Sequence, residues 1–268
     1  MHVHFLDPHR PLASPIHLLD ARVKVVLTLA FIVTCSLTPT GTWPVYMVLM
    51  GILVSVEILS GLGVMYVLRR SALALPFVLA AFPVMFTTEG HSIAAFHIGA
   101  TRWVATAEGV VRFVSIVIKS WLSVQAALML AATTAFPALL VALRALHIPR
   151  LLVALFGLMW RYLFVLVDEA TRLIRARASR SGQAAGSGLR PGGTLGWRAR
   201  VTGGMAGNLL LRSFERSERI YAAMVSRGYD GETRSLPPSP IAISAWATLA
   251  AGLAVLFLLV VAGFLLRS

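Results

Sequence analysis

Apolar and polar positions in this chain are arranged in long blocks. Runs near 23–39, 43–62, 71–87, 112–134 and 241–266 are apolar for close to the ~20 residues that a helix needs to cross a bilayer. Five spans are therefore expected, the fourth being the least clean because it holds Arg112 and Lys119. From Pro137 the pattern changes: Leu139, Leu140, Leu143 and Leu146 recur at helical spacing, and the run stops at His147-Ile148-Pro149, where proline forbids continuation. A second helix is expected from Arg150 to about Arg180, apolar from Leu151 to Val167 and then polar through Asp168, Glu169, Arg172, Arg175, Arg177 and Arg180. Such a helix starts among apolar neighbours and ends in water. Residues 181–207 are rich in glycine and read as a mobile loop or linker. A helix resumes at Asn208, carries Glu215 four residues before Arg219 in the favourable order, and ends at Arg227-Gly228. Asp230-Gly231 and Pro237-Pro238-Ser239-Pro240 lead into the last span.

Composition agrees with a membrane protein. Of 268 residues, 57% are hydrophobic and 13% charged, against ~25% charged in soluble domains. The net charge of +13 fits cytoplasmic loops and anionic headgroups of the lipid bilayer, because the arginines are confined to particular segments; no nucleic-acid partner is expected. Arg22 and Lys24 precede the first span and Arg69 with Arg70 separate the second from the third, whereas Thr38-Pro39-Thr40-Gly41-Thr42 carries no charge. The positive-inside rule then makes the N-terminus cytoplasmic, turns residues 88–108 outward and returns 135–240 to the cytoplasm. The first twenty residues hold no continuous apolar core of the signal-peptide kind. Cys35 lies in an apolar run and reads as a small hydrophobe.

Polar groups inside the spans are few. Pro76 and Pro83 would bend the third span, since each removes a backbone donor. Arg112 can snorkel, Lys119 seven residues later shares its face with no assigned role, and Glu57 reads as an interface residue. A stand-alone secondary transporter would need facing polar pairs or broken half-helices at the midplane, and spans one to three offer little beyond Glu57.

Two distant segments repeat one pattern. Ala176-Arg177-Ala178-Ser179-Arg180-Ser181 and Ala223-Met224-Val225-Ser226-Arg227-Gly228 both read Ala-x-x-Ser-Arg-small and both close a helical segment. A cation at a helix C-terminus is stabilised by the macrodipole, and a guanidinium between small residues also fits an acidic groove as a planar fork. Spacing alone is compatible with both roles. The only lysines, Lys24 and Lys119, lie in no glycine-rich turn, so P-loop chemistry is excluded, and His-Glu-x-x-His and Cys-x-x-Cys are absent. His2, His4 and His9 form too incomplete a set for a metal site. No catalytic, cofactor or metal residues are assigned.

The opening Ser14-Pro15-Ile16-His17-Leu18-Leu19-Asp20-Ala21-Arg22-Val23-Lys24, the stretch Arg161-Tyr162 with Asp168-Glu169 and Arg172, Arg212-Ser213 with Glu215-Arg216, and the two arginine patterns, the second continuing to Tyr229-Asp230-Gly231, together resemble the transmembrane T component of energy-coupling factor (ECF) transporters, in its cobalt-type branch, CbiQ. The resemblance covers almost the whole chain. It implies an all-α polytopic protein of about five transmembrane helices: spans in 1–134, a cytoplasmic coupling domain in 135–240 and a last span in 241–268. It further implies a non-catalytic subunit of the bacterial inner membrane, with two CbiO-like ATPase subunits that bind ATP and Mg, and a CbiM-like substrate-binding membrane subunit, with or without a CbiN-like small subunit, that binds Co2+. Carried over by position, Arg180 and Arg227 dock into one ATPase each, with Ala176, Ser179, Ser181, Ala223, Ser226 and Gly228 around them. Family signatures most often have alanine where Ser179 and Ser226 stand, and glycine where Ser181 stands. Nickel or a vitamin is the alternative cargo.

Overall fold

The computed structural model describes residues 9–10, 12–72, 76, 79–89, 91–98, 101–180, 194–230 and 240–266. They fall into two compact units, one made from residues 7–145 and 238–268, the other from 146–237.

In the first unit a single turn, α1 (Pro15–Leu18), precedes α2 (Ala21–Leu37), α3 (Trp43–Ser60), α4 (Val64–Ser71) and the short α5 (Val84–Thr87). A hairpin of β1 (Ser92–Ile98) and β2 (Thr101–Thr106) follows, then α6 (Ala107–Thr133), α7 (Phe136–Ala145) and, after the second unit, α10 (Ile243–Leu265). α2 and α6 begin where the chain supplies acceptors: Asp20 receives the Arg22 N–H and Thr106 the Gly109 N–H. The all-α polytopic class expected from the sequence holds. Trp43–Ser60, Ala107–Thr133, Arg150–Arg180 and Ile243–Leu265 are long and apolar enough to cross a membrane, and α2, with 17 residues, is slightly shorter.

One expectation needs correction in this unit. The 71–87 run is not one continuous helix among its described residues: α4 ends at Ser71, residues 80–83 form turns, and Pro83 caps the start of α5. Proline there opens a helix and does not kink one, because the first turn has no use for its missing donor. Residues 73–75, 77 and 78 lie outside the description. The connection 88–108, expected to face outward, contains an antiparallel ladder from Ser92↔Thr106 to Ile98↔Thr101. It is anchored to α6: the Ala107 N–H donates to the His91 carbonyl (2.9 Å) and the His91 N–H to Glu108 Oε2 (2.8 Å).

Phe31, Cys35, Val45, Leu49, Leu53, Leu122, Ala126 and Leu256 form the core where α2, α3, α6 and α10 meet. On α10 the side against it is a stripe of Ala245, Gly252, Leu256 and Gly263, spaced seven, four and seven residues. Small residues let helices approach in lipid; a Cβ on Gly252 would sit 2.6 Å from Leu27 Cδ2 and one on Gly263 3.3 Å from Pro39 Cδ. The rest of α10 shows Phe257, Leu258 and Leu265 outward, as a lipid-facing surface does.

The two lysines do parallel work. Lys24, near the start of α2 and 8% exposed, donates from Nζ to the Thr133 carbonyl ending α6 (3.1 Å) and to the His17 carbonyl of α1 (3.2 Å). Lys119, within α6, donates to the Ser36 carbonyl ending α2 (3.3 Å) and to the Thr38 carbonyl. Each ammonium thus caps the C-terminal end of the neighbouring helix, where carbonyls lack partners and the dipole favours a cation. Glu57 is 1% exposed, and its Oε1 has no hydrogen-bond partner among the described residues.

Among the described glycines of this unit, Gly109 leaves the least room for a side chain. A Cβ there would collide with the backbone carbonyl oxygen of Met85 and lie 2.7 Å from Thr106 Oγ1, the acceptor that caps α6. Gly109→Ala is expected to lower stability by about 1–3 kcal/mol through overpacking. Gly51→Ala, where a Cβ meets nothing within 4 Å, is the control, and thermal unfolding of both variants in detergent checks it.

In the second unit α8 (Arg150–Arg180) and α9 (Leu195–Val225) carry the polar arginine-rich sequence. The apolar half of α8 leaves Leu151, Leu155 and Met159 exposed. The linker expected over 181–207 is corrected in part, because residues 195–207 are helical. Thr194 starts this helix by accepting the Trp197 N–H, and contacts with α8 hold its first turns: Arg177 donates to Thr202 Oγ1 (3.0 Å) and lies over the Trp197 ring (5.7 Å). These contacts outweigh the weak helix propensity of Gly196, Gly203, Gly204 and Gly207. Residues 181–193, with Ser181 and the glycine-rich start of the linker, lie outside the description.

Candidate functional site

The two arginine patterns share more than sequence. On α8 the Ser179 hydroxyl donates to the Ala176 carbonyl (2.9 Å), and after α9 the Ser226 hydroxyl donates to the Ala223 carbonyl (3.0 Å). The alanine three positions before each serine therefore supplies the acceptor, a role that the spacing alone did not disclose. Each bond satisfies one of the carbonyls left open in a last helical turn. With both hydroxyls tied back, the guanidinium is the polar group left to project, and Arg180 and Arg227 are both exposed.

Gly228 makes the second tip possible. Its φ of +81° lies in the left-handed region, where a side chain is strained. The Gly228 N–H donates to the Val225 carbonyl (2.9 Å) and the Tyr229 N–H to the Met224 carbonyl (3.0 Å), the paired bonds of a Schellman ending. The chain turns sharply there and leaves Arg227 at the helix end. Arg180 closes α8, and Ser181 after it is outside the description.

Between the tips, α8 and α9 are joined by one carboxylate. Glu169 Oε1 accepts from Arg212 Nη1 (2.7 Å), and its Oε2 accepts from Arg172 Nη2 (2.8 Å) and Arg216 Nη2 (3.4 Å). The Glu169 side chain is 12% exposed, so these charge-assisted bonds are screened less than surface pairs. By contrast, Glu215 and Arg219 stand 3.9 Å apart with both side chains more than two-thirds exposed, and such a pair contributes little. The sequence holds Glu169, Arg172, Arg212 and Arg216 without showing that they meet.

The order of contacts sets the sense of the pair. Arg177 reaches Thr202, whereas Glu169, earlier on α8, reaches Arg212 and Arg216, later on α9. The helices therefore pass in opposite senses, and their tips point away from each other. Of the initial histidines, His9 lies against His17, with ring centroids 6.3 Å apart, and His2 and His4 are outside the description.

Four membrane-length helices among the described residues, one of them α8, define a multi-pass membrane protein that also carries a pair of oppositely directed arginine-tipped helices. The family model "CbiQ: Cobalt transport protein" matches residues 13–238, and this chain belongs to that family. It is 27% identical over 238 residues to a putative fused cobalt transport protein CbiMQ of Methanocorpusculum labreanum, covering 85% of this chain and 37% of that protein. It is 27% identical over 163 residues to the cobalt transport protein CbiQ of Rhodobacter capsulatus, covering 61% of this chain and 63% of that one. A protein of Methanocaldococcus jannaschii is 23% identical over 240 residues, covering 87% of this chain and 77% of the relative. The chain thus spans less than two thirds of the length of the M. labreanum and R. capsulatus relatives.

Proposed function

We propose that this chain is the membrane coupling subunit of an ATP-driven cobalt transporter of the ECF kind. In this reading Arg180 and Arg227 each occupy an acidic groove of one of two ATPase subunits, with Ala176, Ser179, Ser181, Ala223, Ser226 and Gly228 as their small surroundings. The ATPases bind ATP and Mg, and their closure moves the two tips. The membrane helices transmit that movement to a CbiM-like subunit that holds Co2+. This chain is itself non-catalytic and binds no cofactor. It sits in the cytoplasmic membrane with its N-terminus and residues 135–240 inside, as the placement of Arg22, Lys24, Arg69 and Arg70 favours.

The observation that carries the reading is the duplicated tip: two exposed arginines, each after a serine bonded to an alanine carbonyl three residues back, at opposite ends of a helix pair. Two matched cations on oppositely directed helices fit two copies of one socket. Cobalt as cargo is supported by the family, and a separate CbiM-like partner by the relative in which CbiM and CbiQ are fused.

Reconstitution tests this directly. The purified chain in liposomes is expected to hydrolyse no ATP and to accumulate no Co2+, and to support both when combined with the ATPase and CbiM-like subunits. Co2+ uptake by the chain alone would refute the coupling role.

A further inference from the structure

Glu169 and Arg216 stand 47 positions apart, and so do Arg180 and Arg227 (227 − 180). The contact between α8 and α9 is therefore 11 residues from each tip (180 − 169 and 227 − 216). Eleven residues are three helical turns, about 17 Å of axis, and return to within about 20° of the same face. Both tips thus lie the same number of residues from one contact, in opposite senses, although on the α9 side the helix itself ends at Val225, two residues before Arg227.

The chemistry of that point is asymmetric. One carboxylate, on α8, faces three guanidiniums, two of them on α9. Without its charge, Arg172, Arg212 and Arg216 would repel one another across the helix pair. Arg172 and Arg212 are more than half exposed, whereas Glu169 is largely enclosed, so the single anion controls the contact.

We propose that Glu169 is the positioning residue of the coupling pair: by binding Arg212 and Arg216 it pins α8 to α9 midway between the tips and fixes the distance between Arg180 and Arg227. Each ATPase socket then receives its arginine at a set span, and movement at one tip is passed to the other through the pin. The inference rests on the coupling role proposed above.

The test uses the full chain within its complex, with Cys35→Ala and spin labels on cysteines at Ile174 and Tyr221, exposed positions five residues beyond the pin on each helix. The parent should give one narrow distance. Glu169→Gln should broaden it and lower coupled ATP hydrolysis at least tenfold, while ATPase retention falls less than threefold because both tips remain. The exchange Glu169→Arg with Arg212→Glu, which again puts one carboxylate among three guanidiniums, should restore the narrow distance and most of the turnover. An unchanged distance in Glu169→Gln, or a normally inserted exchange variant that restores neither property, would overturn the proposal. Failure of the underlying coupling role has a different signature, since the parent itself would retain no ATPase, and it overturns the pin's part in coupling as well.

Discussion

Replacing Arg180 and Arg227 together by alanine is expected to release the ATPase subunits while the chain still inserts into the membrane. On the proposed reading each guanidinium is buried against groove carboxylates, and truncating one partner of such a pair costs about 2–5 kcal/mol. That corresponds to roughly thirty- to several-thousand-fold weaker binding per tip. The tips lie at opposite ends of α8 and α9 and share no partner, so their losses in assembly should be nearly additive. Each single variant should weaken the complex and sharply lower coupled ATP hydrolysis, because transport needs both tips. Lysine should rescue poorly, keeping the charge but losing the planar fork. Arg190→Ala, in the glycine-rich segment, is the control and should be nearly silent. Co-purification of the ATPases with each tagged variant reads the result; full retention by the double variant would reduce both arginines to helix-end charges.

Lys119→Met should destabilise the membrane unit by about 1.5–3 kcal/mol, the range for losing hydrogen bonds to a charged group. The Ser36 and Thr38 carbonyls would lose the ammonium that caps the end of α2, where the last turn of a helix leaves carbonyls without intrahelical partners. Lys24→Met should act in the same direction through the Thr133 and His17 carbonyls. Lys119→Arg, which keeps the donors, should recover most of the loss. Thermal unfolding in detergent measures all three, and an unchanged midpoint for Lys119→Met would show that these carbonyls are satisfied without it.

Readings that depended on local pattern agree with the structure. Four of the five apolar runs became α2, α3, α6 and α10; Pro149 separates α7 from α8; and Gly228 ends the helix that carries Arg227. The failures were also local in origin. Gly196, Gly203, Gly204 and Gly207 hid the first turns of α9, although Thr194 was an available N-cap signal. The β-branched and aromatic residues on both sides of Gly99-Ala100 were the available sign of the hairpin. Pro83 was read as a kink in a span because its position at a helix start depends on where the preceding helix ends.

By itself the sequence determined the membrane class, since 13% charged residues among long apolar runs leave helices as the way to satisfy the backbone in lipid. It also determined the two Ala-x-x-Ser-Arg tips, each contained within six residues. Only the tertiary structure decided which polar groups meet. Lys24 reaches a carbonyl 109 positions away, Lys119 one 81 positions away, and Glu169 reaches guanidiniums 43 and 47 positions away. Periodicity sets the face on which a residue stands, but the helix opposite that face is chosen by packing: small residues on α10, capped helix ends between α2 and α6, and the single anion between α8 and α9.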